Sequence, residues 1–152
     1  MSLMDRIGED IKAAMKSKDK VRLETVRGIK KVLLEKKTSG EVGADGTLSE
    51  SQELEVLMQQ AKQRRDAIAA YRQAGREDLA AQETAELEII EEYLPRQLSE
   101  AEIAAVVDDI IGRVGASSPK DMGKVMGPAM QQLKGQADGK LVQKLVKEQL
   151  NG

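Results

Sequence analysis

Two short elements could bring this chain into contact with a phosphate: Gly123-Lys124 and Gly139-Lys140, each near the start of a segment with helical periodicity. Backbone N–H groups at a helix start and a lysine point charge together suit a phosphate backbone. Neither element fits the G-x-x-x-x-G-K-[ST] loop, and no strand pattern precedes them, so a nucleotide-cradling loop is not implied. Two carboxylate pairs are available for acid–base work, Glu86 with Glu92 and Asp108 with Asp109. No spacing favours either as a catalytic pair, because acid-rich helices commonly present a solvated face. Composition removes most other chemistry: with no His, Cys, Trp or Phe, there is no Ser-His-Asp or Cys-His nucleophile, no zinc site of the usual ligands and no disulfide. Any metal would be hard and oxygen-bound. The two tyrosines, Tyr71 and Tyr93, are too few for a base-stacking platform. The expectation is therefore no catalytic residue, no cofactor and no metal, with function carried by lysines and glycines on the surface.

Charge is segregated along the chain although the total is only −2. Residues 12–37 carry ten Lys/Arg against three acids, 62–76 five against one, and 113–147 seven against two. Residues 77–109 hold eleven acids and a single Arg. Such a chain can offer basic faces to a polyanion while staying near neutral overall; alternatively the blocks pair with one another inside the fold.

The elements that must position these residues read as helices throughout, giving an all-α fold class. Ala, Leu, Val, Ile and Met make up most of the 40% hydrophobic fraction, and straight-chain helix formers outweigh strand-favouring residues. Ser2 with Asp5 predicts a first N-cap, followed by Leu3, Ile7, Ile11 and Ala14 on one face. A second stripe runs through Val21, Thr25, Ile29, Val32 and Leu33 and fades near Thr38, before a glycine-rich loop over 39–46. Thr47 and Glu50 form a T-x-x-E capping box ahead of a helix of about 27 residues, ~40 Å long. A fourth helix, with Leu79, Leu87 and Ile90, is closed by Pro95. Residues 1–94 are thus expected as an elongated N-terminal helical domain and 95–98 as a linker. Residues 99–152 are expected as a C-terminal three-helix bundle, its helices starting at Ser99, Ser118 and Asp138. Inside the second of these, Gly123, Gly127 and Pro128 oppose helix formation by roughly 1 kcal/mol per Gly and ~3 for Pro. Either a neighbouring helix comes close to the flat glycines, with Pro128 marking a kink or break, or the backbone approaches a ligand. No apolar run reaches the ~18 residues needed to span a bilayer, and the opening MSLMDRIGED is unlike a signal peptide, so a cytoplasmic protein without membrane contact is expected.

The stretches GASSPKDMGKVMG (115–127), LKGQADGKLVQKLVKEQL (133–150), EEYLPRQLSEAEI (91–103), KQRRDAI and AGREDLA together resemble the YqeY-like proteins of the GatB/YqeY family over nearly the whole chain. The resemblance implies that the last three helices are similar to the tail domain of the B subunit of glutamine-dependent aminoacyl-tRNA amidotransferase, a helical module that contacts tRNA. It also implies association with carbon–nitrogen ligase activity using glutamine as amide donor. This sequence has neither the amidase centre nor the ATP domain of that enzyme, so such activity would be borrowed from partners. The positions matching the family pattern are Lys120, Gly123, Lys124, Gly127, Lys134, Gly135, Ala137, Asp138, Lys140 and Lys144. Gln136 stands where a basic residue is common, Gln131-Gln132 where Pro-Lys is common, and Pro128 departs from the pattern.

Two functions follow as expectations. In the first, the protein is a non-catalytic accessory that binds structured RNA, tRNA above all, through backbone and shape. Lys120, Lys124, Lys134, Lys140 and Lys144 contact phosphates, while Gly123, Gly127 and Gly135 admit close backbone approach. In the second, it is a protein–protein adaptor docking on an amidotransferase or aminoacyl-tRNA synthetase.

Overall fold

The computed structural model describes residues 2–40 and 42–151. The described residues form seven α-helices: α1 (Leu3–Ser17), α2 (Lys20–Thr38), α3 (Glu50–Gln73), α4 (Glu77–Glu91), α5 (Glu100–Val114), α6 (Met122–Gln132) and α7 (Gly139–Asn151), with a 3-10 turn at Pro119–Asp121 before α6. Among the described residues there is no strand, and the protein is all-α.

The helices begin where short polar side chains satisfy orphan N–H groups. Ser2 and Asp5 form the expected capping box on α1. For α3 the box is shifted from the expected Thr47 and Glu50: the Ser49 hydroxyl accepts from Gln52 N at 3.1 Å, and Gln52 Oε1 accepts from Ser49 N at 2.8 Å. Thr47 is drawn away by Asp45, whose Oδ1 accepts from the Thr47 hydroxyl at 2.7 Å and the Thr47 N–H at 3.1 Å. Ser99 and Glu102 cap α5, which ends on Gly115 at φ 69°, a left-handed residue suited to glycine. The fourth helix stops at Glu91, before Pro95, through successive i−3 bonds from Glu92, Tyr93 and Leu94.

The chain falls into two compact units divided between Leu94 and Pro95. In the first, Ile7, Val26, Ile29, Leu33, Val56, Leu57, Ala61, Ile89, Ile90 and Tyr93 form the core. Tyr93 anchors the end of α4 to α1: its hydroxyl donates to Asp10, and the Arg6 guanidinium lies 4.5 Å over its ring. Burial first, then Asp10, push the Tyr93 phenol above its ordinary pKa. In the second unit, Ile103, Val107, Ile110, Val125, Ala129, Leu133, Val142, Leu145, Val146 and Leu150 bring α5, α6 and α7 together.

Two expectations about the second unit are revised. Helix α6 continues through Pro128 to Gln132 instead of breaking there. Residues 95–98, expected as a linker, are fastened to the α6–α7 loop: Leu98 N donates to Gln136 O at 2.9 Å, Gln97 Nε2 to Gly135 O at 2.7 Å, and Gln136 Nε2 to Arg96 O at 3.3 Å.

Candidate nucleic-acid interface

Helices α6 and α7 are joined by residues 133–138 and lie antiparallel, with the Met130 methyl 3.1 Å from where a Cβ on Gly139 would stand. Gly139 is therefore explained by close packing of α7 against Met130. Counting from this contact at 1.5 Å per residue, Gly127 lies about level with Gln143, and Gly123 about level with Lys147. Polar contacts identify the other flanks of the two helices. Arg113 on α5 reaches Gln132 of α6 at 3.4 Å, and Gln149 of α7 donates to Ala104 O of α5 at 2.9 Å. On α6, Gly123, Gly127 and Met130 thus share the edge that looks toward α7, while Lys124 and Pro128 turn outward and toward α5.

The two helical glycines behave differently from Gly139. A Cβ added at Gly123 or Gly127 meets nothing within 4 Å. No neighbouring helix presses on them, which removes that explanation for their presence in α6. Both positions are exposed, and the seam between α6 and α7 is flat along this edge.

Lysines border the seam. Lys140, Lys144 and Lys147 recur at i, i+4 and i+7 on the exposed face of α7, opposite the buried Val142, Leu145, Val146 and Leu150. Lys147 is absent from the sequence-derived site, although its spacing from Lys144 was the signal that could have included it. Lys120 is exposed on the 3-10 turn, which packs against both α6 and α7. Lys124 is exposed and lies 3.4 Å from Asp121. The Ser117 N–H, donating to Asp121 at 2.9 Å, and then Lys124 hold this carboxyl below its ordinary pKa. Lys134 is exposed just beyond the end of α6.

Gly135 stands apart from the other candidates. It is buried, sits at φ 79° and offers its carbonyl to Gln97. A left-handed turn that closes α6 and receives the 95–98 segment accounts for glycine there without a ligand. The exposed Gln131 and Gln132 leave the far end of α6 uncharged.

The carboxylate candidates are held in ion pairs or lie apart from one another. Glu86 lies 3.0 Å from Arg64, Glu92 2.9 Å from Arg22, and Asp109 3.1 Å from Arg113. Among the described residues, no three His, Cys, Asp or Glu side chains gather as a metal site. No helix of the described residues is long and apolar enough to cross a membrane.

Comparison with known proteins agrees with this architecture. A family model described as Yqey-like protein matches residues 4–150. The chain is 30% identical over 151 residues to Altered inheritance of mitochondria protein 41, mitochondrial, of Pyrenophora tritici-repentis, covering 96% of this chain and 80% of that protein. It is 34% identical over 114 residues to the protein of the same name from Lachancea thermotolerans, covering 73% of this chain and 59% of the relative. A shorter match, 37% identical over 67 residues, is to a Glutamyl-tRNA(Gln) amidotransferase subunit of Aeropyrum pernix, covering 41% of this chain and 10% of that protein. A helical chain matched by one family model almost from end to end, and similar to a relative over most of both lengths, belongs to the YqeY-like protein family.

Proposed function

We propose that this protein is a non-catalytic accessory that grips the backbone of structured RNA, tRNA being the favoured class, through the α6–α7 seam. The observation that carries this reading is the pair Gly123 and Gly127. They weaken a helix by about 1 kcal/mol each, no intramolecular contact uses their flatness, and they lie beside the cationic face of α7. A phosphate backbone is an occupant that uses both flat helix surface and lysine charge. The partial likeness to a protein whose name includes glutamyl-tRNA(Gln) directs the choice toward tRNA. Amide transfer, where it occurs, belongs to a partner enzyme. We assign the protein to a reducing aqueous compartment, the cytoplasm or, as the names of its relatives indicate for them, the mitochondrion.

The test is binding of the full chain to a tRNA transcript across a salt series. If about four phosphates are neutralised, log K falls with log salt at a slope of roughly −3 to −4, and replacing Lys144 and Lys147 with Gln flattens it by about one unit each. Gly127→Ala separates function from folding: it stabilises α6 by roughly 0.5–1 kcal/mol while weakening RNA binding. Undetectable binding at low salt, or full affinity in the Gly127→Ala and double lysine variants, refutes the proposal.

A second reading draws on Met130, which is 37% exposed at the same seam. A flexible thioether beside flat glycines also fits a docking helix of a protein partner. Capture of an amidotransferase or synthetase that survives nuclease treatment and is lost in Met130→Glu would favour this adaptor role.

A further inference from the structure

The cations of the amino-terminal unit divide into two populations. Those on α3 and around the end of α4 face acids: Arg64 meets Glu83 at 3.5 Å and Glu86 at 3.0 Å, and Arg22 meets Glu92 at 2.9 Å. By contrast, among the described residues no ion pair within 4.0 Å engages Lys12, Lys16, Lys20, Arg27, Lys30 or Lys31. All six belong to the α1–α2 hairpin, and all but the half-buried Lys30 are exposed.

Contacts with neighbouring elements orient this hairpin. Lys36 lies 3.7 Å from Glu55, which sets α3 on one flank of α2. Arg27 reaches Met15 of α1 at 3.9 Å, which sets α1 on the other. Arg27, Lys30, Lys31 and Leu34 therefore lie on the α1 side of the open face of α2, where they line a shallow depression with Glu35 and Thr38. The acids of the hairpin do not neutralise it: Asp19 is paired with Arg22, Asp10 accepts from Tyr93, and Glu24 and Glu35 occupy the flank nearer α3.

From this arrangement we infer that the α1–α2 hairpin is a second docking surface for RNA backbone, independent of the α6–α7 seam. Charge complementarity names the occupant. Lys20, Arg27 and Lys31 extend a cationic row over about 16 Å of α2, and phosphates are the densest matching array of negative charge. The exposed aliphatics do not form an insertion face for a membrane. Val21 and Leu34, 42% and 40% exposed, stand about 220° apart around α2. The inference rests on the hairpin's own charges and survives even if the seam has no part in RNA binding.

The experiment compares the full chain with R27Q/K31Q and with K144Q/K147Q, using one tRNA transcript across a salt series, alongside vesicles of phosphatidylserine and phosphatidylcholine. R27Q/K31Q is expected to melt as the wild type does and to flatten the log K against log salt slope by about 1.8. The same loss should appear in K12Q/K16Q on α1, which serves if the first pair disturbs the fold. A slope unchanged in both hairpin variants overturns the inference, and the response of K144Q/K147Q then reports on the seam by itself. Wild-type chain that binds the vesicles, with R27Q/K31Q losing vesicles but keeping RNA, also overturns it and assigns the hairpin to a membrane surface. No RNA binding at low salt overturns both readings.

Discussion

The two units of this chain solve the same problem, packing helices with almost no aromatic side chains, in different ways. In the amino-terminal unit charge crosses between helices: Arg64 of α3 with Glu83 and Glu86 of α4, Lys36 of α2 with Glu55 of α3, and Arg22 of α2 with Glu92. Its buried set also includes Thr25, Gln60 and Tyr93. In the carboxy-terminal unit the buried side chains are aliphatic, and the ion pairs are local: Asp109 with Arg113, Asp121 with Lys124, and Arg96 with Glu102. The difference teaches where free charge can remain. A unit stitched by cross-helix ion pairs uses its cations internally except on the hairpin those acids do not reach. A unit held by aliphatic packing leaves its lysines at the surface.

The strongest way to break this comparison is to remove the aliphatic packing. Ile110 is fully buried, and Ile110→Ala should cost about 2–5 kcal/mol. That approaches the whole stability expected of a small bundle. Circular dichroism should show the carboxy-terminal helices melting at markedly lower temperature while the amino-terminal helices persist. A single unshifted transition would contradict it.

Removing a cross-helix charge is the corresponding test of the other unit. Arg64 and its two acids are each about one-fifth exposed, with side-chain values of 22%, 23% and 20%. Arg64→Ala should therefore cost about 1–3 kcal/mol, measured by denaturant unfolding, as Glu83 and Glu86 are left facing each other. Glu83 already titrates above its ordinary value because of burial, then the neighbouring Glu86. A raised carboxyl penalises the folded state when charged and releases that penalty as the pH falls through its folded pKa. The variant should accordingly regain part of its lost stability on acidification toward the carboxylate range.

The smallest expected effect has the opposite sign with pH. Hydrogen bonds from Arg96, then the Ser99 N–H, pull Glu102 from its ordinary 4.5 down to about 2. Its stabilising contribution is present above 4.5 and lost as the pH falls toward 2. Ser99→Ala should cost about 1 kcal/mol through the lost cap. An NMR titration of Glu102 should still show a depressed carboxyl in that variant, because Arg96 holds both oxygens, at 3.1 and 2.8 Å.

What sequence by itself determined here is local. Helical periodicity, the Ser2 and Ser99 caps and the left-handed Gly115 are set within a turn or two of chain, where the backbone's own hydrogen bonds decide. Family membership was legible for the same reason, because long contiguous motifs carry it. Even local signals compete, and the α3 cap went to Ser49 because Asp45 captured Thr47, a contest between two nearby oxygens that spacing alone does not rank. The candidate site was legible only as a set of residue types. Tertiary structure decided that Gly123 and Gly127 face open space, that Gly139 is filled by Met130, and that Gly135 is a buried turn tied to Gln97. It also decided which basic residues meet acids, since Arg64 finds Glu83 and Glu86 only through the packing of α3 on α4. Those outcomes depend on contacts between residues far apart in sequence, and a side chain's local pattern holds no information about which distant surface arrives beside it.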